Sequence, residues 1–267
     1  MTQDSLTLAL AQQDIIWESP AENLQVMRNT VAEVATQGAD IVVFPEVMTT
    51  GFSMNVETIA EPFDASPSLQ EVQAMARCYG VAIVFSMIVK EKEKYHNRIC
   101  FVTPEGVIFY QDKRHLFRMG GEAKAISPAR ERRIISYKGW NILLIACYDM
   151  RFPVWCRNRN NEYDLLIDVA NWPEPRRLVW STLLRARAME NLAYVCGVNR
   201  VGVDAEGLVY TGDSAIINPR GKEVATATER IHEYKVATIE KAPMEKLRKK
   251  FPVYLDADEF TIHGATL

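Results

Sequence analysis

Hydrophobic and polar positions along the chain follow two alternating patterns. Short apolar runs predict strands, and longer segments with apolar residues three to four positions apart predict helices. The first unit predicts a strand over 6–13 and a helix over 20–37, with Ser19 as its N-cap and Pro20 at its first position. Further helices are predicted over 68–79, ended by Gly80, and over 176–191. Further strands are predicted at 40–44, 81–89, 98–103, 107–111, 141–146, 164–170, 193–199, 214–217, 223–227 and 233–239.

Hairpins mixed with strand–helix units are typical of proteins in which helices cover β-sheets. We therefore predict an α/β fold with two mixed sheets flanked by helices, in a single domain covering residues 1–267. The segment 241–267 is charged at first and irregular afterwards. This predicts an exposed tail or an arm that packs on a second subunit.

The charge and composition of the chain limit the kinds of partner that it can bind. The chain has 31 Lys and Arg against 34 Asp and Glu, a net charge of −3, which argues against nucleic-acid binding. It has no apolar run of about 18 residues and no basic, signal-like N-terminal region, so we expect no membrane span and a cytoplasmic protein.

The five cysteines are odd in number, and no two form a CxxC pair. This argues against a disulfide framework and a zinc ribbon. The four histidines are dispersed, and no glycine-rich phosphate loop is present, so we predict neither a metal nor a cofactor. The cysteines are Cys78, Cys100, Cys147, Cys156 and Cys196.

Three reactive side chains follow predicted strands directly: Glu46, Lys113 and Cys147. Functional groups often lie where strands end in α/β sheets. A partly desolvated glutamate can act as a general base, a lysine can stabilise a thiolate or an oxyanion, and a cysteine on a sharp turn can act as a nucleophile. Taken alone, each residue also has an ordinary structural interpretation. Glu46 could be a solvated loop carboxylate, Lys113 part of a solvated basic turn, and Cys147 a thiol buried in the core.

The three segments together resemble the signature motifs of the nitrilase superfamily of carbon–nitrogen hydrolases. They are Phe44-Pro45-Glu46, Asp112-Lys113 and the segment from Cys147 to Pro153, and they occur in the family's order. The resemblance covers nearly the whole chain. It implies a four-layer α-β-β-α sandwich and dimers that extend this sandwich.

Three further segments, 46–52, 112–117 and 169–173, look like the bacterial omega-amidase branch of that family. This resemblance implies that the substrates are short α-keto acid amides, 2-oxoglutaramate and 2-oxosuccinamate. Alternatives within the family are an N-carbamoyl amino acid, deaminated glutathione or a nitrile. An alternative of another class is a binding protein on the same fold without catalysis.

The resemblance assigns Cys147 as nucleophile, Glu46 as general base and Lys113 as electrostatic stabiliser. Glu122, nine positions after Lys113, corresponds to a supporting second glutamate. The Lys113 ammonium is expected to favour the Cys147 thiolate, and the backbone N–H of Tyr148 is a candidate oxyanion donor.

The substrate carboxylate calls for a cation, and Arg118 and Arg151 are the candidates. A solvated position for Arg118 and a structural ion pair for Arg151 remain open. Trp172, Phe117 and Met119 are candidate pocket walls, with plain packing as the alternative for Trp172.

Overall fold

The strands form two main sheets in a computed structural model that describes residues 4–261. The strands are β1 (Ser5–Gln12), β2 (Ile41–Val43), β3 (Glu61–Pro62), β4 (Ala82–Glu91), β5 (Lys94–Val102), β6 (Ile108–Asp112), β7 (Ile134–Tyr137), β8 (Trp140–Ala146), β9 (Leu165–Ala170), β10 (Tyr194–Asn199), β11 (Val201–Val203), β12 (Val209–Thr211), β13 (Ala215–Ile217), β14 (Glu223–Thr226) and β15 (Glu233–Glu240). The first sheet has the order β15-β1-β2-β4-β5-β6, with β3 paired to β4. The second sheet has the order β14-β13-β10-β9-β8-β7, and β11 and β12 form a separate pair.

Two of the longer helices cover the first sheet and a third covers the second. Among residues 4–261, no helix is both long and apolar enough to cross a bilayer. The helices are α1 (Pro20–Thr36), α2 (Val56–Ile59), α3 (Pro67–Tyr79), α4 (Glu122–Ala125), α5 (Pro153–Cys156), α6 (Arg177–Asn191) and α7 (Lys241–Lys250).

The alternation of side chains along each strand produces the layers. Leu8 of β1 and Leu144 of β8 belong to one buried cluster, which fills the space between the two sheets. The opposite face of the first sheet packs on apolar residues of α1 and α3, including Val31 and Val72. The opposite face of the second sheet packs on α6 through residues such as Leu184. The predicted α-β-β-α sandwich is confirmed.

The structure differs from the pattern-based prediction in its shortest elements. β7, β11 and β12 were not predicted, because runs of three or four residues carry little periodicity. Ser19 precedes α1 as expected, but its hydroxyl donates to Glu22 Oε2 at 2.8 Å and does not cap a backbone N–H.

Within the segment 241–267, which was predicted to be an exposed tail or an arm on a second subunit, Lys241–Lys250 forms α7, which docks on its own chain through one face. Met244 is buried, and the Arg248 guanidinium donates to Asp164 Oδ1 at 2.9 Å and to the Tyr163 carbonyl at 2.7 Å. The spacing of Met244 and Arg248 by four positions places both on one helix face. Part of the predicted segment, 262–267, lies outside the described residues.

Candidate active site

The two facing sheets bring Glu46, Lys113 and Cys147 to one place. Glu46 follows β2 and Lys113 follows β6 in the first sheet, while Cys147 follows β8 in the second. Lys113 Nζ lies 2.8 Å from Glu46 Oε1, and both side chains are buried. Cys147 lines a cavity that also contains Lys113. Three side chains that are distant in the sequence are therefore one constellation in space.

The cysteine occupies a strained turn at the end of its strand. Its φ of +50° lies in the left-handed region, which is uncommon for a residue with a side chain. The five-residue 3₁₀ helix Cys147–Arg151 begins there, so the strand ends abruptly and the sulfur reaches the cavity. This is the geometry of a nucleophile elbow. The Cys147 N–H donates to Asp168 Oδ1 at 2.6 Å.

Two asparagines hold Glu46 in position. Asn97 Nδ2 donates to Glu46 Oε1 at 2.8 Å, and the Asn171 N–H donates to Oε2 at 3.0 Å. The carbonyl of Asn171 in turn accepts from Cys147 Sγ at 3.8 Å. Asn171 therefore contacts both the carboxylate and the thiol. Neither asparagine was among the predicted site residues, although Asn171 lies in one of the segments that resemble the family.

Glu122 completes a buried charge cluster around Lys113. Both carboxylate oxygens of Glu122 lie 2.9 Å from Lys113 Nζ, and Oε2 also accepts the Phe117 N–H at 2.6 Å. Burial alone would lower the pKa of Lys113, but Glu122 and Glu46 together hold that pKa well above its ordinary value. Burial raises the pKa of Glu122, although Lys113 opposes this shift. Lys113 is therefore a permanent cation at neutral pH.

Lys113 favours the thiolate of Cys147, as expected, but burial and a nearby carboxylate act in the opposite direction. Burial, together with the Glu46 carboxylate, raises the pKa of the Cys147 thiol well above its ordinary value, and Lys113 only opposes this effect. Burial therefore favours the protonated thiol at rest. Such a thiol needs a general base at the moment of attack, and Glu46 is the buried carboxylate that shares Asn171 with it.

Three of the five predicted substrate-binding residues line the cavity around Cys147: Phe117, Arg151 and Trp172. Arg151 lies over the Trp172 ring, with its guanidinium carbon 5.0 Å from the ring centroid. Among residues 4–261, Arg151 makes no ion pair, so the structural ion pair considered for it does not occur in the described part of the chain.

The structure does not place Arg118 and Met119, the other two predicted substrate-binding residues, in the cavity around Cys147. Met119 is 88% exposed, and the exposed Arg118 lines a separate surface groove instead of the cavity around Cys147. Both lie in the 3₁₀ turn Arg118–Gly120, which directs them away from Lys113 although they are close to it in sequence.

A second arginine in the cavity, Arg176, was not selected from the sequence. Its guanidinium carbon lies 5.1 Å from the centroid of the Phe117 ring, and its carbonyl accepts from Trp172 Nε1 at 2.8 Å. Arg176 belongs to the 3₁₀ turn Glu174–Arg176, which follows β9 and precedes α6. The three central site residues were selected because they lie where a strand ends, but Arg176 lies six residues beyond the end of β9. Tyr210 and Asp204 also line this cavity.

No metal centre is seen in the described part of the chain. Between residues 4 and 261, the His, Cys, Asp and Glu side chains form no group of three that could hold a metal ion. The residues around Cys147 combine a thiol, a carboxylate and an ammonium, which are the groups that nucleophilic catalysis by a cysteine uses.

A family model described as "Carbon-nitrogen hydrolase" matches residues 7–249. The chain therefore belongs to the carbon–nitrogen hydrolase family and is an amide-hydrolysing enzyme, as the three motifs predicted.

Relatives with similar sequences and structures are consistent with this assignment. The chain is 40% identical over 257 residues to "Omega-amidase YafV" of Escherichia coli (strain K12), covering 96% of this chain and 98% of the relative. It is 30% identical over 254 residues to "2-oxoglutaramate amidase" of Bacillus subtilis (strain 168), covering 94% and 96%. The crystal structure of a CN-hydrolase superfamily protein from Xanthomonas campestris, with an arsenic adduct in its active site, has a TM-score of 0.93 and 40% identity, covering 97% of this chain and 100% of that protein.

Proposed function

We propose that the enzyme hydrolyses the terminal amide of short α-keto acid amides, 2-oxoglutaramate and 2-oxosuccinamate, to a dicarboxylate and ammonia. The observation that carries this proposal is a cavity that combines Cys147 with two arginines, Arg151 and Arg176. The thiol matches the amide end of such a substrate and the guanidinium groups match its carboxylate end. The similarity to an omega-amidase and a 2-oxoglutaramate amidase supports the same substrate class.

The first half of the reaction forms a thioester. Glu46 takes the thiol proton while Cys147 Sγ attacks the amide carbon, and the carbonyl becomes a tetrahedral oxyanion. Glu46 then gives this proton to the nitrogen, the C–N bond breaks and ammonia leaves. Water enters next, Glu46 removes its proton, and the hydroxide oxygen bonds to the thioester carbon. The C–S bond breaks, Cys147 recovers a proton from Glu46, and the product leaves as the carboxylic acid, which keeps the second hydrogen of the water and then ionises.

Two donors stabilise the oxyanion in this mechanism. An ammonium has three N–H donors, and Glu46 and Glu122 occupy two of those of Lys113, which leaves one for the substrate. The Cys147 N–H is already donated to Asp168, so the next amide of the turn, that of Tyr148, is the backbone donor. Glu122 positions Lys113 and does not touch the reacting atoms in this scheme.

Substrate recognition rests on the two cavity arginines. Arg151 and Arg176 each lie against an aromatic ring, Trp172 and Phe117 respectively, which restricts where the guanidinium groups can point. The rings also form the apolar walls for the methylene carbons between the amide and the keto acid. A substrate with an amide at one end and a carboxylate at the other is therefore held at both ends in this scheme.

Removal of either cavity arginine is expected to weaken carboxylate recognition selectively. Arg151→Gln and Arg176→Gln should each raise the KM for 2-oxoglutaramate about 10-fold to 100-fold, because a charge-assisted hydrogen bond is lost. The kcat/KM for butanamide, which has no carboxylate, should change much less. Arg118→Gln is the matched control, since Arg118 lies outside the cavity. An effect of Arg118→Gln equal to that of the cavity variants would contradict this assignment.

Ammonia release tests the proposed function directly. Initial rates are measured with 2-oxoglutaramate, 2-oxosuccinamate, glutamine, N-carbamoylalanine and a simple nitrile. The highest kcat/KM is expected for the two keto acid amides. Higher values for glutamine, the carbamoyl compound or the nitrile would reject the proposed substrate class in favour of another member of the family.

We also propose that the enzyme is a cytoplasmic homodimer. Leu178 and Met189 are exposed on α6, and Val154 is exposed on the neighbouring α5, which supports burial of this face against a second copy. All five cysteines are free, which agrees with a reducing compartment. Light scattering that gives the mass of one 30.3 kDa chain would refute the dimer.

A further inference from the structure

A buried aspartate lies directly beneath the nucleophile. Asp168 in β9 is completely buried, and its Oδ1 accepts the Cys147 N–H at 2.6 Å. β8 and β9 are paired in parallel as far as Ala146 and Val169. The chain then turns at Cys147 with φ +50°, so this N–H leaves the ladder of the sheet. The Asp168 carboxyl supplies the acceptor that the sheet no longer offers.

The second oxygen of this carboxyl distinguishes Asp168 from an ordinary charged aspartate. Within residues 4–261, Asp168 Oδ2 is buried and has no hydrogen-bond partner. Burying a charged carboxylate whose oxygen has no hydrogen-bond donor costs much more free energy than burying a neutral, protonated carboxyl. Burial therefore raises the pKa of Asp168 well above its ordinary value, although the Cys147 N–H opposes this shift.

The groups around Asp168 favour the neutral form as well. Asp149, in the turn after β8, and Glu46, in the loop after β2, both raise its pKa, while Lys113, after β6, lowers it. The thiols of Cys147 and of Cys156 in α5 are further titratable neighbours, and α6, which covers the same face of the sheet, contributes the buried Arg187 that acts on Cys156. A charge on Asp168 would add to the negative charge already present and would oppose both the thiolate and the oxyanion.

We propose that Asp168 is an uncharged positioning residue, which holds the backbone of Cys147 in its left-handed turn without placing a negative charge beneath the sulfur. This inference rests on the proposed function in one respect, that Cys147 is the nucleophile. It assigns to Asp168 two consequences for the reaction. The sulfur is fixed in its direction of attack, and the N–H of Cys147 is withdrawn from the oxyanion site, which leaves that of Tyr148.

Two substitutions separate the hydrogen bond from the charge. Asp168→Asn keeps an acceptor oxygen and can carry no charge, so kcat and its pH profile should stay within about threefold of the unsubstituted enzyme. Asp168→Ala removes the acceptor and frees the Cys147 turn. Its kcat should fall about 10-fold to 100-fold with KM changed by less than about threefold, because misplacement of a nucleophile acts on the reaction step.

The pH dependence of the Tm provides a second test of the proposal. A carboxyl with a raised pKa in the folded state destabilises the fold progressively as the pH rises from its unfolded value toward its folded value, because the folded protein must retain the proton. Asp168→Asn has no such proton, so its Tm relative to the unsubstituted enzyme should rise as the pH increases above the unfolded carboxyl pKa of about 4, and should level off once the pH has passed the folded pKa. Asp164→Asn is the matched control, because Asp164 is paired with Arg248 at 2.9 Å and Lys241 at 3.0 Å and its substitution should lower the Tm.

Alkylation separates this inference from the proposed function. The rate at which iodoacetamide modifies Cys147, followed by mass spectrometry, needs no substrate and should be preserved in Asp168→Asn and altered at least about threefold in Asp168→Ala. If the enzyme rejects keto acid amides, alkylation and the Tm series still decide the role of Asp168. A loss in Asp168→Asn as large as in Asp168→Ala would show that the charge is needed and would overturn the proposal. Unchanged kcat and alkylation in Asp168→Ala would overturn it equally.

Discussion

Substitution of Cys147 by alanine is expected to abolish amide hydrolysis and to leave the fold intact. The thioester route has no substitute for the sulfur, so kcat should fall by about 10⁴-fold or more. Alanine is small enough for the turn, and the Asp168 hydrogen bond to the backbone N–H remains, so the free energy of unfolding should change by about 1 kcal/mol or less. Ammonia release and thermal unfolding measure these two quantities. A mass increase of the unsubstituted enzyme during turnover, equal to the acyl group, should be absent from Cys147→Ala.

Another buried thiol provides the control for this experiment. Cys196 in β10 lies in the core between the sheets, where burial raises its pKa to about 12, and it is not one of the residues that line the cavity around Cys147. Cys196→Ala should therefore lower stability through the lost packing and preserve kcat. Retained turnover in Cys147→Ala, or its loss in a well-folded Cys196→Ala, would contradict the nucleophile assignment.

The three central side chains could be predicted because their signal is local. Glu46, Lys113 and Cys147 each follow an apolar strand, and that position is visible in a few neighbouring residues. Asn171 could not be selected in this way, since it acts through Glu46, which is 125 positions away. Proximity along the chain was also misleading for Arg118, because the direction of a short turn depends on packing and not on spacing.

The protonation state of Cys147 shows a second limit of sequence reasoning. An ammonium beside a thiol favours the thiolate in general. The actual balance depends on how deeply the sulfur is buried and on the carboxylates nearby, and here burial and Glu46 outweigh Lys113. The same residue types can thus give an activated or a resting thiol, and the fold decides between them.

The fold itself was predictable where apolar runs are long. β9 and β10 lie at the centre of the second sheet and contain only buried residues, so their apolar composition predicted them. α7 has only Met244 and Arg248 on its buried face, and a buried arginine looks like a solvent-exposed one in the sequence. Its docking depends on Asp164, which is 84 positions away.

Substitution of Lys113 by methionine is expected to damage both catalysis and stability. Methionine fills a similar volume without the charge, so Glu46 and Glu122 lose their shared counter-ion while remaining buried. Loss of one oxyanion donor should lower kcat about 10²-fold to 10³-fold. The uncompensated carboxylates should cost about 3–5 kcal/mol of the free energy of unfolding.

The pH dependence of this loss identifies its cause. Because the folded pKa of Lys113 is raised, its stabilising contribution is complete below the ordinary lysine pKa and is lost only as the pH rises through the folded value. The titration of Lys113 should therefore make little contribution to the pH dependence of stability of the unsubstituted enzyme near neutral pH. In Lys113→Met the carboxyls need protons to stay buried without a cation, so the stability deficit should grow between about pH 5 and pH 8.

A double variant separates the two effects of Lys113. Lys113→Met combined with Glu122→Gln removes one of the two stranded carboxylates, so part of the lost stability should return and the slope of stability against pH should become smaller. Its kcat should remain low, because the cation that faces the oxyanion is still missing. Urea unfolding at several pH values and ammonia release measure both quantities on the same preparations. If kcat recovered together with stability, Lys113 would serve only to neutralise Glu122, and the oxyanion would have to be stabilised by backbone N–H groups.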